Sequence, residues 1–259
     1  MKRALLEVCV ETVDGALAAE RGGADRIELS AGLIEGGTTP SLGLIRAVRA
    51  QVRLPLVVLL RPRAGDFLYS PDEREVLATD LALAREAGAN GVALGLLTAD
   101  GAVDVEAVRD LVGRARPMSV TFHRAFDLVR DPRATLEELV CGGVDRLLTS
   151  GQERTASEGA ALLRELVARA GDRIVVMAGA GVRAENVRAL VEATGVREVH
   201  ASARSPRASA MRHRNDRVAL GAGAAGCESE RLVTDEAEVR ALARALSGSG
   251  PPPSPRPGS

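Results

Sequence analysis

Short apolar runs alternate with longer amphipathic segments along most of the chain. Eight of the runs predict β-strands at 5–9, 26–30, 56–61, 91–94, 118–123, 146–149, 174–178 and 198–201. Between them, apolar residues recur at helical spacing and predict helices at 13–21, 42–52, 72–87, 105–114, 134–141, 158–170 and 184–192. This strict alternation of strand and helix indicates that the strands are parallel.

A short motif recurs at quarter-chain intervals. It reads Gly-Ala-Asp-Arg at 23–26, Gly-Ala-Asn-Gly at 88–91, Gly-Val-Asp-Arg at 143–146 and Gly-Val-Arg-Glu at 195–198, and each copy joins a helix to an even-numbered strand. The glycine is expected to end the helix in the left-handed conformation, and the Asp or Asn to close a tight turn. A fourfold repeat favours an α/β fold with a single (β/α)8 TIM-type barrel over a doubly wound sheet.

The barrel is expected to form one domain over residues 1–246. Residues 204–217 are rich in arginine and lead into a Gly/Ala stretch, which predicts a long loop. Residues 234–246 predict a closing eighth helix with Thr234 as its N-cap. The remaining residues, 247–259, are mostly Gly, Ser and Pro and are expected to form a disordered tail.

Composition narrows the possible partners. The chain has 259 residues, 46% hydrophobic residues and a formal net charge of −1, as a soluble globular protein does. The balanced charge and the absence of Trp argue against nucleic acid as a partner. No apolar run approaches the ~18 residues that span a bilayer, so no membrane partner is expected. Three scattered cysteines and the lack of a signal-peptide pattern predict a cytoplasmic location.

The stretch Ser-Val-Thr-Phe-His-Arg-Ala-Phe-Asp at 119–127 carries the most distinctive candidate chemistry. Its alternation predicts that Ser119, Thr121 and His123 face the barrel lumen, with His123 at the carboxyl end of the strand. Active sites of such barrels are built at that end. His123, Arg124 and Asp127 end this stretch, and the same alternation in other strands brings further polar residues to that end. The candidate catalytic set comprises Glu7, Glu28, Arg61, His123, Arg124, Asp127 and His200.

Two interpretations of this set remain open. In the first, Glu28 and His123 act as an acid/base pair, because both point into the mouth and histidine titrates near neutrality. In the second, the charges form ion pairs that fill the lumen. The role of Asp127 is equally open, since Asp127 or Asp131 would cap a helix that begins near Pro132.

A candidate anion site follows strands seven and eight. Gly179 and Gly181 follow the seventh strand, and Ser202 and Arg204 follow the eighth, where barrels present backbone N–H groups to phosphate. Arg63, just beyond the third strand, is assigned to the same anion-binding set. The alternative is that the glycines serve only the turn.

Cys9 lies on the lumen face of the first strand. On spacing alone, it is expected to be a small buried hydrophobic residue, since no Cys or His stands near it in the sequence to complete a metal motif.

Several segments together resemble the copper homeostasis (CutC) family, and closely its animal-type members. They are Leu-Glu-Val-Cys-Val at 6–10, Gly-Gly-Ala-Asp-Arg-Ile-Glu-Leu at 22–29, Glu-Gly-Gly-Thr-Thr-Pro-Ser at 35–41, Arg-Pro-Arg at 61–63, Gly-Asp-Phe at 65–67, 121–127, Leu-Thr-Ser-Gly at 148–151 and His-Ala-Ser-Ala-Arg at 200–204. The resemblance implies a TIM-type barrel, a cytosolic and also nuclear location, self-association, and copper handling through Cu(I) bound by cysteines. Of the family's two candidate copper thiols, this chain keeps Cys9 as the metal ligand and has Ser30 in place of the other.

Two classes of function are therefore expected. One is a protein that binds or traffics copper in the cytosol. The other is an enzyme of unknown reaction that acts on a small anionic metabolite, such as a phosphorylated one, at the mouth of the barrel. The chain keeps only one of the family's two candidate thiols but retains the whole charged set, which favours the second class, an enzyme.

Overall fold

The computed structural model describes residues 3–215, 217–218 and 229–248. Within them, eight parallel strands close into a barrel in chain order, and β8 pairs with β1. The strands are Leu5–Val10 (β1), Arg26–Leu29 (β2), Leu56–Leu59 (β3), Gly91–Leu94 (β4), Ser119–Phe122 (β5), Arg146–Thr149 (β6), Val175–Ala178 (β7) and Glu198–Ala201 (β8). The predicted TIM-type barrel is confirmed.

Helices follow the strands and cover the outside of the barrel. They are Val13–Gly22 (α1), Leu42–Gln51 (α2), Pro71–Glu86 (α3), Val105–Ala115 (α4), Pro132–Cys141 (α5), Ala160–Ala170 (α6), Val187–Thr194 (α7) and Glu236–Leu246 (α8). Local sequence sets their starts. The Ser70 side chain accepts from the Glu73 N–H at the start of α3, and Glu73 reciprocates as a capping box, with Pro71 at the first helical position.

The motif that recurs at quarter-chain intervals both ends helices and links neighbouring strands. Its glycines end helices in the left-handed region, with φ of 94° at Gly23, 87° at Gly88, 76° at Gly143 and 76° at Gly195. In three copies the polar side chain accepts a hydrogen bond from a backbone N–H of the preceding odd-numbered strand: Asp25 from Leu6, Asn90 from Leu56 and Asp145 from Val120, at 2.7–2.9 Å. The expected tight-turn role was therefore incomplete, because these side chains also tie adjacent strands together.

A two-stranded antiparallel sheet follows the barrel, where the sequence predicted only a loop. Residues Arg204–Ala208 (β9) pair with Glu230–Thr234 (β10). Thr234 ends β10, and Asp235 caps α8 by accepting from the Ala237 N–H, so the predicted Thr234 cap was wrong. The predicted Gly/Ala stretch lies outside the described residues, as does the predicted tail from residue 249 onward.

The lumen of the barrel has an apolar side and a charged side. Val57, Leu59 and Ala93 on β3 and β4 form a small apolar cluster separate from the main core. On β1, β2 and β8 the inward positions carry ionisable side chains. Glu7 on β1 lies in register with Arg26 on β2 and with His200 on β8. The inward-facing charges are therefore concentrated on β1, β2 and β8. None of the described helices combines the length and apolarity needed to cross a bilayer.

Candidate active site

A cavity of about 650 Å³ opens at the carboxyl end of the barrel. Nine of the predicted site residues line it: Cys9, Glu28, Arg61, His123, Arg124, Gly181, His200, Ser202 and Arg204. The other four, Glu7, Arg63, Asp127 and Gly179, lie outside its lining. Its volume falls within the range of small-molecule sites, about 300–1,000 Å³.

Below the cavity, the lumen is filled by a buried ionic network. Arg26 donates through Nε to Glu7 Oε2 and through Nη2 to Glu198 Oε2, and Arg146 Nε lies 2.8 Å from the same Glu198 oxygen. Burial alone would raise the pKa of Glu7, but Arg26 and His200 lower it to about 2. Glu7 is therefore a carboxylate at neutral pH. The lumen-filling interpretation describes this lower layer well.

Glu28 and His200 occupy the layer between this network and the cavity. His200 Nδ1 lies 2.8 Å from Glu7 Oε1, and one oxygen of Glu28, Oε2, is buried without a hydrogen-bond partner among the described residues. Burial raises the pKa of Glu28 to about 7. Burial would lower the pKa of His200, but the neighbouring Cys9, Glu28 and Glu7 raise it well above 6.5. The three side chains Glu7, Glu28 and His200 bring one donor atom each to within 4.8 Å of one another, which is a spacing suited to a metal ion.

His123 is buried and neutral. Its Nδ1 accepts a hydrogen bond from the Ala125 N–H at 3.2 Å, so the ring proton resides on Nε2. Nε2 has no partner within the described part of the chain, and the residue lines the cavity. Burial, followed by the charge of Arg61, lowers the pKa of His123 to about 3. His123 is thus suited to donate a hydrogen bond rather than to exchange a proton near pH 7, which disfavours its predicted half of the acid/base pair.

Arg61 holds two loops instead of presenting a free guanidinium group. Its Nη1 donates to the carbonyl oxygens of Glu35 at 3.0 Å and Gly37 at 2.7 Å, and its Nη2 donates to that of Gly65 at 2.8 Å. The guanidinium carbon also lies 5.1 Å from the centre of the Phe67 ring. Arg61 therefore positions the loops that follow β2 and β3 over the cavity.

Arg63 lies outside the cavity, although the sequence analysis assigned it to the anion-binding set. It bonds Glu73 Oε1 at 2.5 Å and Asp66 Oδ1 at 3.0 Å on the surface, outside the cavity. This geometry contradicts its assignment to the anion-binding set, because the two ion pairs hold the side chain outside the cavity.

Asp127 and Arg124 form an ion pair at the rim, with 2.7 Å between Arg124 Nε and Asp127 Oδ2. Asp127 also accepts from the Thr149 hydroxyl at 2.5 Å and from the Ser150 N–H at 3.0 Å. The helix cap is Asp131, which accepts from the N–H groups of residues 133 and 134. Asp127 therefore ties the segment after β5 to the end of β6, and it does not touch the cavity.

The loops after β7 and β8 form one wall of the cavity. Ala180 and Ala203 have positive φ, 76° and 44°, which is uncommon for residues with a side chain. Among the hydrogen bonds of the described residues, none uses the backbone N–H of Ala180, Gly181, Ser202 or Ala203. The Gly179 N–H, in contrast, donates to Thr149 at 3.0 Å, which excludes it from the predicted anion-binding set.

Some site residues were not assigned from the sequence. Arg26 and Glu198 occupy lumen positions by strand alternation, yet the sequence did not show that they pair across the barrel. Arg183 and Phe67 line the cavity from loops, where periodicity gives no signal. Gly95 makes room for His123, because a Cβ there would lie 2.5 Å from His123 Cε1. A glycine directly after a predicted strand was the sequence signal available for such a close approach.

Comparisons with known proteins agree on one family. Residues 4–205 match the model of the CutC family. The chain is 50% identical over 238 residues to the copper homeostasis protein cutC homolog of Mus musculus, covering 92% of this chain and 88% of the mouse protein. It is also 50% identical over 242 residues to a family protein CutC of Chromobacterium violaceum, covering 93% and 98% of the two chains.

A solved structure supports the same assignment. The copper homeostasis protein CutC from Streptococcus agalactiae superposes with a TM-score of 0.73 at 31% identity, over 77% of this chain and 98% of that one. The extent of these matches and the shared barrel leave one conclusion, that the chain belongs to the CutC family.

Proposed function

We propose that this barrel is an enzyme that acts on a small anionic metabolite at its carboxyl-end mouth. The observation that carries the proposal is the composition of one cavity. Residues whose backbone N–H groups have no hydrogen-bond partner in the described part of the chain line one wall, and His123 and Glu28, each with one buried unpartnered side-chain atom, line the others. Convergent polar groups in one pocket of a barrel mouth are the usual arrangement of an active site.

The anion would bind at the wall formed after β7 and β8. The N–H groups of Ala180, Gly181, Ser202 and Ala203 are available there, and Arg183 and Arg204 line the same cavity. Arg204 Nη1 lies 3.7 Å from Glu11 Oε2, and its Nε has no partner among the described residues. Backbone donors with arginine side chains form a common phosphate-binding combination.

The reacting part of the metabolite would lie between His123 and Glu28. A neutral imidazole N–H stabilises negative charge that develops on a carbonyl or hydroxyl oxygen. Glu28, with a pKa of about 7, lies nearby as the carboxyl group of the pocket. Exclusion of water by the loops that Arg61 holds would strengthen both interactions.

Inorganic phosphate tests the anion site directly. Phosphate should raise the melting temperature of the native protein by several degrees, relative to chloride at matched ionic strength, by mass action. Arg183→Met and Arg204→Met should each reduce this shift. The matched control is Arg188→Met, because Arg188 lies on the exposed face of α7 and pairs with Glu192.

Two results would reject the anion site: no stabilisation at saturating phosphate, or the same stabilisation in all four proteins. Turnover is tested by incubating the protein with a panel of phosphorylated metabolites and following the phosphorus NMR signals. His123→Gln should abolish any turnover found while it leaves the phosphate-induced shift in place.

Copper binding is the second candidate function, because Cys9 lines the cavity next to His200 and relatives are named for copper homeostasis. The donors present fit Cu(I) poorly. Soft Cu(I) prefers thiolates, and Ser30, which is buried with an unpartnered hydroxyl, offers a hard oxygen instead. Copper would therefore be a weakly held cargo.

Cu(I) titration against a competing chelator, under reducing conditions, tests this candidate. Ser30→Cys should bind Cu(I) markedly more tightly than the native chain, and Cys9→Ser more weakly. Equal affinity in the three proteins would remove copper from this site.

A further inference from the structure

We propose that Glu7, Glu28 and His200 form a binding site for a divalent transition-metal cation, of the Zn²⁺ or Mn²⁺ type, at the floor of the cavity. The inference goes beyond the proposed function, since it concerns a cation and uses none of the residues of the anion wall; of the residues in the proposed function, it shares only Glu28.

The three donor atoms are already close to coordination spacing. His200 Nδ1 and Glu7 Oε1 are 2.8 Å apart, and all three donor atoms lie within 4.8 Å of one another. Metal bonds of about 2.0–2.2 Å place neighbouring donors roughly 3–4 Å apart. A cation therefore requires shifts of only a few tenths of an ångström to about 1 Å. It would replace the proton that His200 and Glu7 now share.

Rigid strands supply these ligands. Glu7 lies on β1, Glu28 on β2 and His200 on β8, which are consecutive strands of the closed barrel, and Glu7 is in register with His200. Sites on strands hold their geometry more precisely than sites on loops. Arg26 binds the other oxygen of Glu7, Oε2, and so directs Oε1 toward the site as an outer-shell partner of a metal ligand does.

Glu28 gives the independent indication that a ligand belongs here. The residue is only 5% exposed, and its Oε2 is buried with no hydrogen-bond partner in the described residues. A buried carboxyl oxygen without a partner costs free energy that a cation would recover. Because Glu28 and His200 line the cavity while Glu7 lies beneath it, the open coordination positions would face the cavity, where water or a substrate oxygen could occupy them.

The donor set also selects the class of metal. Two carboxylates and one imidazole are hard or borderline ligands, which suit divalent cations and not Cu(I). Among the described residues, the group of donor atoms that meet does not include the Cys9 sulfur. Cys9 is therefore a neighbour of the proposed ligand His200 and not itself a ligand.

The test uses the full chain, stripped with a chelator and kept free of phosphate. Calorimetric titration with Zn²⁺, and separately with Mn²⁺, should show one site per chain for at least one of them. Glu28→Gln and His200→Gln should each weaken that binding by roughly tenfold or more, since even outer-shell changes cost about 10–100-fold. Circular dichroism and melting temperature check that each variant is folded.

One control separates this site from its surroundings. Glu238→Gln removes another carboxylate that lines the cavity, and it should leave the affinity unchanged within about twofold. Absence of saturable binding by either cation, or binding that Glu28→Gln does not weaken, overturns the proposal. Phosphate-induced stabilisation of the stripped protein tests the anion site separately, so the two proposals can fail independently.

Discussion

At the scale of single residues, the lumen contains two kinds of polar group. Glu7 and Arg26 are buried and fully engaged with each other and their neighbours, whereas Glu28 and His123 each keep one buried polar atom without a partner among the described residues. Buried polar atoms are normally paired, so Glu28 Oε2 and His123 Nε2 are the groups that the proposed sites use to hold a ligand. Strand alternation predicted that all four face inward, but it could not distinguish the two kinds, because partners come from distant strands.

His123 gives a prediction about stability and pH. Its folded pKa of about 3 lies below the unfolded value of 6.5, so between these values the unfolded chain binds a proton that the folded chain does not. Stability from this residue is present above pH 6.5 and is lost as the pH falls, by about 1.4 kcal/mol per pH unit. Arg61 is the charged group that faces the ring and adds to the effect.

His123→Gln should remove this component. In denaturant unfolding from pH 6.5 to pH 5, the native protein should lose about 2 kcal/mol more stability than the variant. Parallel stability curves for the two proteins would show that His123 is protonated in the folded state, and the neutral-donor role would be wrong.

At the scale of elements, the sequence predicted the strands and helices of the barrel but not the β9–β10 hairpin that follows it. All eight barrel strands and their helices were found, because buried strands are apolar runs and helices bury one face. The hairpin β9–β10 was missed: Arg-Ser-Pro-Arg-Ala at 204–208 has no apolar alternation and is largely exposed, and its pairing to residues 230–234 depends on a contact distant in sequence. The loop contacts of Arg61 were not predicted either, because they are made to backbone carbonyl groups, which leave no pattern in the sequence.

Two glycines test how the elements shape the site. Gly95, directly after β4, lies against His123, and an added Cβ would be 2.6 Å from Nδ1 and 2.8 Å from the Cβ of Ala125. Gly95→Ala should therefore destabilise the protein by about 1–3 kcal/mol through overpacking, and displace the imidazole. Gly113, inside α4, has nothing within 4 Å of an added Cβ. Gly113→Ala should stabilise by up to about 1 kcal/mol through helix propensity. Denaturant unfolding of both variants is the measurement, and equal effects would contradict the close approach at Gly95.

Arg61 gives the second prediction at this scale. Arg61→Met removes three hydrogen bonds to backbone carbonyls, so amide hydrogen exchange should accelerate in the loops at 31–40 and 62–69 more than in the barrel strands. Arg188→Met, a surface control, should leave exchange in both loops unchanged. Unaltered exchange of these loops in Arg61→Met would favour a direct ligand-binding role for the guanidinium group.

At the scale of the whole molecule, the buried charges act where the barrel closes. Glu7, Arg26 and Glu198 lie on β1, β2 and β8, and Arg146 extends the network to β6. The sequence left open whether the inward charges form a catalytic set or ion pairs, since nothing local indicates a partner more than 100 residues away, as Glu198 is from Arg26. The fold places Glu7, one member of the predicted catalytic set, in this ionic network, and the proposed active site lies in the layer above it.

The last prediction concerns that structural layer. Arg26 is 5% exposed, and Arg26→Met would leave two buried carboxylates without their shared cation, so it should lower the free energy of unfolding by about 3–5 kcal/mol. Arg197→Met, which breaks an ion pair with Asp172 that is almost fully exposed, should cost no more than about 1 kcal/mol. Adding Glu198→Gln to Arg26→Met should restore part of the loss, because the second change removes one of the two carboxylates that lose Arg26. If the network holds the barrel closed as one unit, denaturant unfolding of every variant will remain a single transition with an unchanged m-value. If Arg26→Met costs no more than Arg197→Met, the buried network does not stabilise the closed barrel.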